Sequence, residues 1–267
     1  DVLAIVERLR PHLPAAGGVA VRVREAIPRH AGLGSGTQLE LAVASALSRL
    51  LGDPRPVPVL AALGGRGRRS GIGIAAFERG GFVVDAGRSL GGRPAAARDA
   101  EVPPVIFQHD VPADWRFVLA TPAGAEGLHG PREEGVFAGL PPMHAERVGR
   151  ISRLLVMKVL PALLTDDVRA FGAGITEIQT LVGEHFAPYQ GGLYATDAGR
   201  RLAERALKRG AAGVGQSSWG PTVFALTRGE AEARALGDEL AEVLGPDGGD
   251  VVVTRASRGG VVRRVRA

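Results

Sequence analysis

The sequence predicts an α+β fold in two domains. Three observations carry that prediction. Short strand patterns alternate with apolar stripes of helical period along the 267 residues. A glycine-rich stretch over residues 28–36 joins a strand pattern to a helix pattern. A loop-rich stretch over residues 122–142 reads as a linker between two halves, and the chain is long enough for each half to bury a core. The predicted domains are residues 1–125 and 126–267.

The elements follow in chain order. Residues 2–12 place Val2, Ile5, Val6 and Leu9 on one helical face. Val19, Val21 and Val23 alternate with Ala20 and Arg22, which predicts a strand. Leu39, Val43, Leu47 and Leu50 form the stripe of a helix that stops at Gly52. A short helix is expected over 56–63, a basic glycine-rich loop over 64–69, and a helix over 71–78 with Ser70 as its N-cap. Gly80 and Gly81 turn into a strand over 82–85, and strands follow at 103–110 and 115–121. Beyond the linker, helices are predicted over 144–160 and 166–183, the second opened by Thr165 and Asp166. A helix over 197–209 leads through a glycine-rich turn at 211–221 into a strand at 222–226. A helix over 229–244 and strands at 250–255 and 260–265 close the chain.

Composition narrows the function. Hydrophobic residues make up 45% and charged residues 23%, the balance of a globular protein that packs in water. No apolar run approaches the roughly 18–20 residues of a membrane span, so no membrane partner is expected, and a cytoplasmic location fits. Cys is absent, which excludes disulfides, thiolate catalysis and Cys-ligated metals. The net charge is +5 and Arg far outnumbers Lys. Codon usage in a G+C-rich genome accounts for such a bias, and so does an anionic substrate, because Arg forks grip phosphate and carboxylate. Nucleic acid is not expected: aromatics are only 4%, with no lysine-rich arm.

The stretch Pro28-Arg29-His30-Ala31-Gly32-Leu33-Gly34-Ser35-Gly36-Thr37 is the chemical centre of the sequence. Glycines let the backbone approach a ligand, Ser35 and Thr37 add hydroxyls, and the helix that follows aims free N–H groups and its positive dipole end at the loop. That combination makes an anion cradle, usually for phosphate, although Gly-x-Gly also serves as a plain turn. The loop lacks the Gly-Lys-Ser/Thr ending of a Walker loop and the glycine spacing of a dinucleotide fingerprint. His30 is placed to touch the same anion, although a lone loop histidine more often has no special role.

Pro-x-x-Ala-Gly-Leu-Gly-Ser resembles the phosphate-loop motif of the GHMP kinases. Gly67-Arg68-Arg69-Ser70-Gly71-Ile72-Gly73 sits where those kinases carry Ser-Gly-x-Asp, and Gly213-Val214-Gly215-Gln216-Ser217-Ser218 where they carry a third glycine motif. The resemblance implies an α+β GHMP-kinase-like two-domain fold, with an amino-terminal βαβ domain and a carboxy-terminal ferredoxin-like domain. The site is then expected in the cleft where the glycine loops converge. One position departs: Gly73 replaces the Asp that handles the substrate hydroxyl in the kinases, and glycine cannot take a proton.

The departures themselves match a narrower pattern. The run from His30 to Gln38 and Leu39, then Arg69-Ser70-Gly71-Ile72-Gly73, then Ser217-Ser218-Trp219-Gly220-Pro221-Thr222, resembles the β-ribofuranosylaminobenzene 5′-phosphate synthase family of the same superfamily. So does Thr176-Glu177-Ile178-Gln179 with Gly183-Glu184. The resemblance leaves the family's first strands without a counterpart before Asp1, so a chain lacking them is the expectation.

The resemblance implies a decarboxylating phosphoribosyltransferase in methanopterin-type cofactor biosynthesis. Phosphoribosyl pyrophosphate joins 4-aminobenzoate, or 4-hydroxybenzoate, with Mg2+ and no organic cofactor. On that reading Ser35, Thr37, Ser217 and Ser218 are the catalytic candidates. Gly32, Leu33, Gly34, Gly36, Gln38, Arg66, Arg68, Arg69, Ser70, Gly71, Trp219 and Gly220 bind substrate, with Trp219 as a flat apolar face for the ring. Asp85, Glu177 and Glu184 are the metal or ribose-ligand candidates, each more readily read as a solvated or capping carboxylate; Glu177 and Glu184 share a helix face. A homodimer is the expected assembly. The alternatives are an ATP-dependent small-molecule kinase and a non-catalytic ligand-binding scaffold.

Overall fold

The computed structural model describes residues 2–14, 18–67, 70–87, 102–128, 130–261 and 263. The chain divides into two compact units. Unit 1 comprises Asp1–Ile27, Gly34–Asp110 and Ser257–Ala267; unit 2 comprises Pro28–Leu33 and Val111–Ala256.

Unit 1 is built on helices α1 (Val2–Leu9), α2 (Ser35–Leu50), α3 (Val57–Leu63) and α4 (Ile72–Glu78). The apolar spacing predicted for α1 and α2 has its physical outcome here: Ile5, Leu9, Val43, Ala44, Leu47 and Leu60 bury one another. A second cluster, Leu41, Ala61, Ile74 and Phe77, joins α2 to α3 and α4. Strands β1 (Phe82–Asp85) and β2 (Val105–His109) pair antiparallel, with the register broken between Val84 and Asp85. The segment from Ser257 returns to this unit, where the Gly81 N–H donates to the Ser257 carbonyl and the Gly260 N–H to that of Phe77.

The strand expected at Val19, Val21 and Val23 is not formed. These side chains are exposed, and no strand among the described residues pairs with them. Alternation supplies a face, but a strand also needs a neighbour for its ladder.

Unit 2 contains β3 (Trp115–Pro122), α5 (Gly130–Gly139), α6 (Ala145–Leu154), α7 (Leu160–Leu164), α8 (Val168–Gln190), α9 (Asp197–Lys208), β4 (Gly213–Gln216), β5 (Val223–Arg228), α10 (Glu230–Leu244) and β6 (Gly249–Thr254). The sheet runs β4-β5-β3-β6 with every neighbouring pair antiparallel, the order of a ferredoxin-like split βαβ unit. Val118, Ala120, Val214, Val223 and Ala225 from the strands meet Leu202, Ala206, Leu236 and Leu240 from α9 and α10. Helix α8 covers β4 closely because both backbones are bare at the crossing. A Cβ on Gly172 would stand 2.2 Å from the Ala212 carbonyl oxygen, and one on Gly213 would stand 2.3 Å from that of Gly172.

Several boundaries move from their predicted places. The division falls after Asp110 rather than at 125, because β3 is an inner strand of the second sheet. The stretch read as a linker, 122–142, contains α5. The helix predicted over 144–160 widens into a π turn at Leu155–Val159. Pro161 explains it: its ring lacks an N–H and crowds the carbonyl four residues back, and the wider turn gives it room. Helix α8 runs on to Gln190, and its cap is Asp167, whose carboxylate accepts from the Ala170 N–H at 2.9 Å. The turn predicted at 211–221 holds strand β4. Residues 260, 261 and 263 are not in a strand, and the other residues of that prediction lie outside those described. Among the described residues, no helix is long and apolar enough to cross a membrane.

Candidate active site

The division between units runs through the glycine loop, between Leu33 and Gly34, so the predicted site residues fall into two sets. In unit 1, Ser35, Gly36 and Thr37 form the first turn of α2. Gly34 precedes them at φ +69° and offers no capping side chain, so the N–H groups of that turn are left for solvent or a ligand. Gly34 and Gly36 are exposed, and Ser35 and Thr37 half-buried. The Arg66 guanidinium lies over this turn, its Nη2 3.4 Å from where a Cβ on Gly36 would stand. Arg66 is also ion-paired with Glu40, a fully buried carboxylate on α2.

Gln38 has a different position from the one predicted. Its Nε2 donates to the Gly73 carbonyl at 2.8 Å and ties α2 to α4. Thr37 meets the same place: a Cβ on Gly73 would stand 3.3 Å from its Cγ2. Ser70 lies one residue ahead of the N-cap position of α4, which is Gly71; its hydroxyl accepts from the Ile72 N–H at 3.1 Å and donates to Asp85. Arg68 and Arg69 lie outside the described residues.

In unit 2, the start of the loop packs on the turn after β4. The Ser217 hydroxyl donates to the Gly32 carbonyl at 2.8 Å. Gly32 has φ +77°, and a Cβ there would stand 2.2 Å from the Ser217 carbonyl oxygen and 3.0 Å from that of Gly220, so only glycine fits. The Gly127 N–H donates to the His30 carbonyl from the same packed group. Leu33 is half-buried beside it. Ser218 occupies the left-handed region at φ 54°. Trp219 is 4% exposed, with its ring centroid 4.4 Å from that of Phe186 and 5.5 Å from that of Phe137. The structure thus brings Gly32, Ser217, Trp219 and Gly220 together as the sequence motifs suggested.

Sequence reasoning missed the supports of this turn. Gln216 is buried; its Oε1 accepts from the Ala195 N–H at 2.7 Å, and its Nε2 donates to Gln190 and to the Ser218 carbonyl, each at 3.2 Å. Gln179 accepts from the Gln216 N–H at 3.3 Å. The three glutamines line a small cavity with Ser218, Phe186 and Tyr194. Burial, and secondarily Glu204, pushes the Tyr194 phenol up from its ordinary range, so it stays a hydroxyl.

The predicted metal ligands have other partners. Asp85 accepts from Ser70 and from the Gly71 and Gly87 N–H groups. Glu177 pairs with Arg150, and Glu184 with Arg147 at 3.1 Å, as two rungs between α8 and α6. Among the described residues, no group of three His, Asp or Glu stands ready to hold a metal ion.

Comparison with known proteins agrees with this architecture. Residues 2–81 match the model of the GHMP kinases N terminal domain, and residues 159–245 that of the GHMP kinases C terminal domain. A protein of Methanothermobacter thermautotrophicus named beta-ribofuranosylphenol 5'-phosphate synthase is 35% identical over 257 residues, covering 95% of this chain and 76% of that protein. One of the same name from Methanocaldococcus jannaschii is 33% identical over 253 residues, covering 91% of this chain and 73% of its own. Among solved structures, mevalonate pyrophosphate decarboxylase from Streptococcus pyogenes superposes with a TM-score of 0.62 at 14% identity, over 98% of this chain and 76% of that one. At that identity the likeness shows the fold alone.

Proposed function

We propose a reaction for this chain from the premise that it belongs to the β-ribofuranosylphenol 5′-phosphate synthase family, within the GHMP kinase superfamily. It is accordingly an enzyme of the pentosyltransferase type. The reading is a decarboxylating transfer: phosphoribosyl pyrophosphate and a 4-substituted benzoate give a C-riboside 5′-phosphate, pyrophosphate and CO2. The relatives' name describes a phenol, which favours 4-hydroxybenzoate over 4-aminobenzoate as the acid.

The observation that carries the reading is the surroundings of position 73. In the kinases whose motif this segment resembles, an Asp at that position serves as base or electrostatic partner for the alcohol. Here the position is glycine, the Thr37 methyl lies against it, and Gln38 occupies its carbonyl. The first turn of α2 keeps its free N–H groups and gains the Arg66 guanidinium, a donor set suited to a diphosphate.

The electrons balance without a base. The C1–oxygen bond of the sugar breaks and its pair leaves with pyrophosphate, whose growing charge meets Ser35, Gly36, Thr37 and Arg66. The ring carbon bearing the carboxylate supplies the pair for the new bond to C1. The bond to the carboxylate then breaks, its pair restores the aromatic ring, and CO2 departs. Within unit 2, taken by itself, Trp219, Phe186 and Phe137 form an aromatic cluster beside Ser218, the kind of flat apolar surroundings that suits a benzoate ring.

The carboxylates Asp85, Glu177 and Glu184 do not fit a protein-held Mg2+, since each already serves N–H, O–H or guanidinium donors. Mg2+ belongs in this reading as a companion of the diphosphate, because it keeps its waters and binds chiefly through substrate phosphates.

Incubation with phosphoribosyl pyrophosphate, Mg2+ and carboxyl-labelled 4-hydroxybenzoate or 4-aminobenzoate tests the proposal. Labelled CO2 and one pyrophosphate per riboside are expected. ATP consumption with an alcohol acceptor, and no labelled gas, would favour the kinase alternative instead.

A further inference from the structure

Glu40 is the one carboxylate among the described residues that is fully buried, and none of the chemistry above uses it. It stands one turn beyond the glycine loop on α2. Its Oε2 accepts from Arg66 twice, from Nε at 3.2 Å and from Nη2 at 3.1 Å. Its Oε1 accepts no hydrogen bond among the described residues and has only the Arg8 guanidinium 3.5 Å away. A buried charge with an orphaned oxygen is costly, and a hydrophobic side chain of similar size would pack the same space more cheaply.

What the carboxylate achieves is geometric. Arg66 is more than one-third exposed and its long stem has many rotamers. The double contact with Glu40 fixes one of them, the one that lays the guanidinium over Gly36. We propose that Glu40 is a positioning residue: it aims Arg66 at the first turn of α2, so that the guanidinium and the N–H groups of Ser35, Gly36 and Thr37 take a diphosphate together. This rests on the reading of that turn as the diphosphate loop.

Two variants of the full chain test it, with inorganic pyrophosphate as the calorimetric probe. Glu40→Gln keeps the shape and removes the charge. Gly64→Ala keeps the charge and displaces it, because the added Cβ would stand 2.6 Å from Glu40 Oε1 while Gly64 already has an ordinary helical φ of −79°. Both are expected to weaken pyrophosphate binding by about tenfold, the loss of roughly one charge-assisted hydrogen bond. KM for phosphoribosyl pyrophosphate should rise with it, and KM for the aromatic acid should not. A merely structural role would lower the unfolding temperature and leave the pyrophosphate affinity of the folded protein alone. If Glu40→Gln does not fold, Gly64→Ala decides. Wild-type affinity in the folded variants, or no pyrophosphate binding by the wild type, would overturn the inference. The binding measurement needs no transfer chemistry, so failure to form the riboside would count against the proposed reaction and not against Glu40.

Discussion

Asp85 holds Ser70 and the start of α4 in place: its Oδ2 accepts from the Ser70 hydroxyl and from the Gly71 N–H, both at 2.7 Å. The Gly87 N–H donates to Oδ1 at 3.1 Å, so the last residue of β1 organises turns on both sides of it. Asp85→Asn leaves an amide whose single oxygen cannot serve all three donors. A loss of about 1–3 kcal/mol is expected in denaturant unfolding, with the Mg2+ dependence of activity unchanged. A shifted Mg2+ dependence with normal stability would restore Asp85 as a metal ligand.

Gly32→Ala should be among the most damaging single changes in unit 2. The left-handed backbone alone costs a side chain about 1–2 kcal/mol, and the new Cβ would meet the Ser217 carbonyl oxygen at 2.2 Å. We expect thermal unfolding to show a loss of at least about 2 kcal/mol, and activity to fall because the Ser217 hydroxyl loses its carbonyl partner. Gly34→Ala is the comparison: nothing stands within 4 Å of its Cβ, so only the backbone strain remains.

Trp219→Ala opens a hole between Phe137 and Phe186 and is expected to cost about 3–5 kcal/mol. Trp219→Phe keeps a ring there and should lose less. If the ring also recognises the benzoate, the Phe variant raises KM for the aromatic acid while leaving KM for phosphoribosyl pyrophosphate alone. Equal changes in both would assign Trp219 to packing only.

Acid sensitivity has identifiable sources. The Arg200 hydrogen bond and charge hold the Asp197 carboxyl below the usual carboxylate range, and Arg116 followed by Arg234 does the same for Glu230. Groups depressed in this way stabilise the fold fully above their unfolded values, about 4, and lose that contribution as pH falls through the lower folded values. Both lie at the surface, so unfolding curves at pH 5 and pH 3 should converge when salt is raised. A pH effect indifferent to salt would point to another group.

The sequence makes the local parts of this molecule legible. The stripe through Leu39, Val43 and Leu47 specifies α2, and the family resemblance carried by the glycine motifs anticipates the meeting of Gly32 with Ser217 and Gly220, where the bare backbone allows the close approach. Non-local partners are harder to see. Glu40 reads as an ordinary polar helix position until Arg8 and Arg66 arrive from elsewhere in unit 1. Glu177 and Glu184 do share a face of α8, but nothing in their spacing announces Arg150 and Arg147 on α6. Val19, Val21 and Val23 show the converse, a correct strand pattern with no neighbour to complete it among the described residues.

The chain passes between its two units four times, after Ile27, Leu33, Asp110 and Ala256. A ribosome therefore releases the pieces of unit 1 in instalments, with all of unit 2 emerging before the segment that starts at Ser257. The bonds from Gly81 to Ser257 and from Gly260 to Phe77 cannot close until translation has passed residue 260. Helices α1 to α4 must wait through that interval with part of their surface uncovered, and exposed apolar surface of that kind favours off-pathway association.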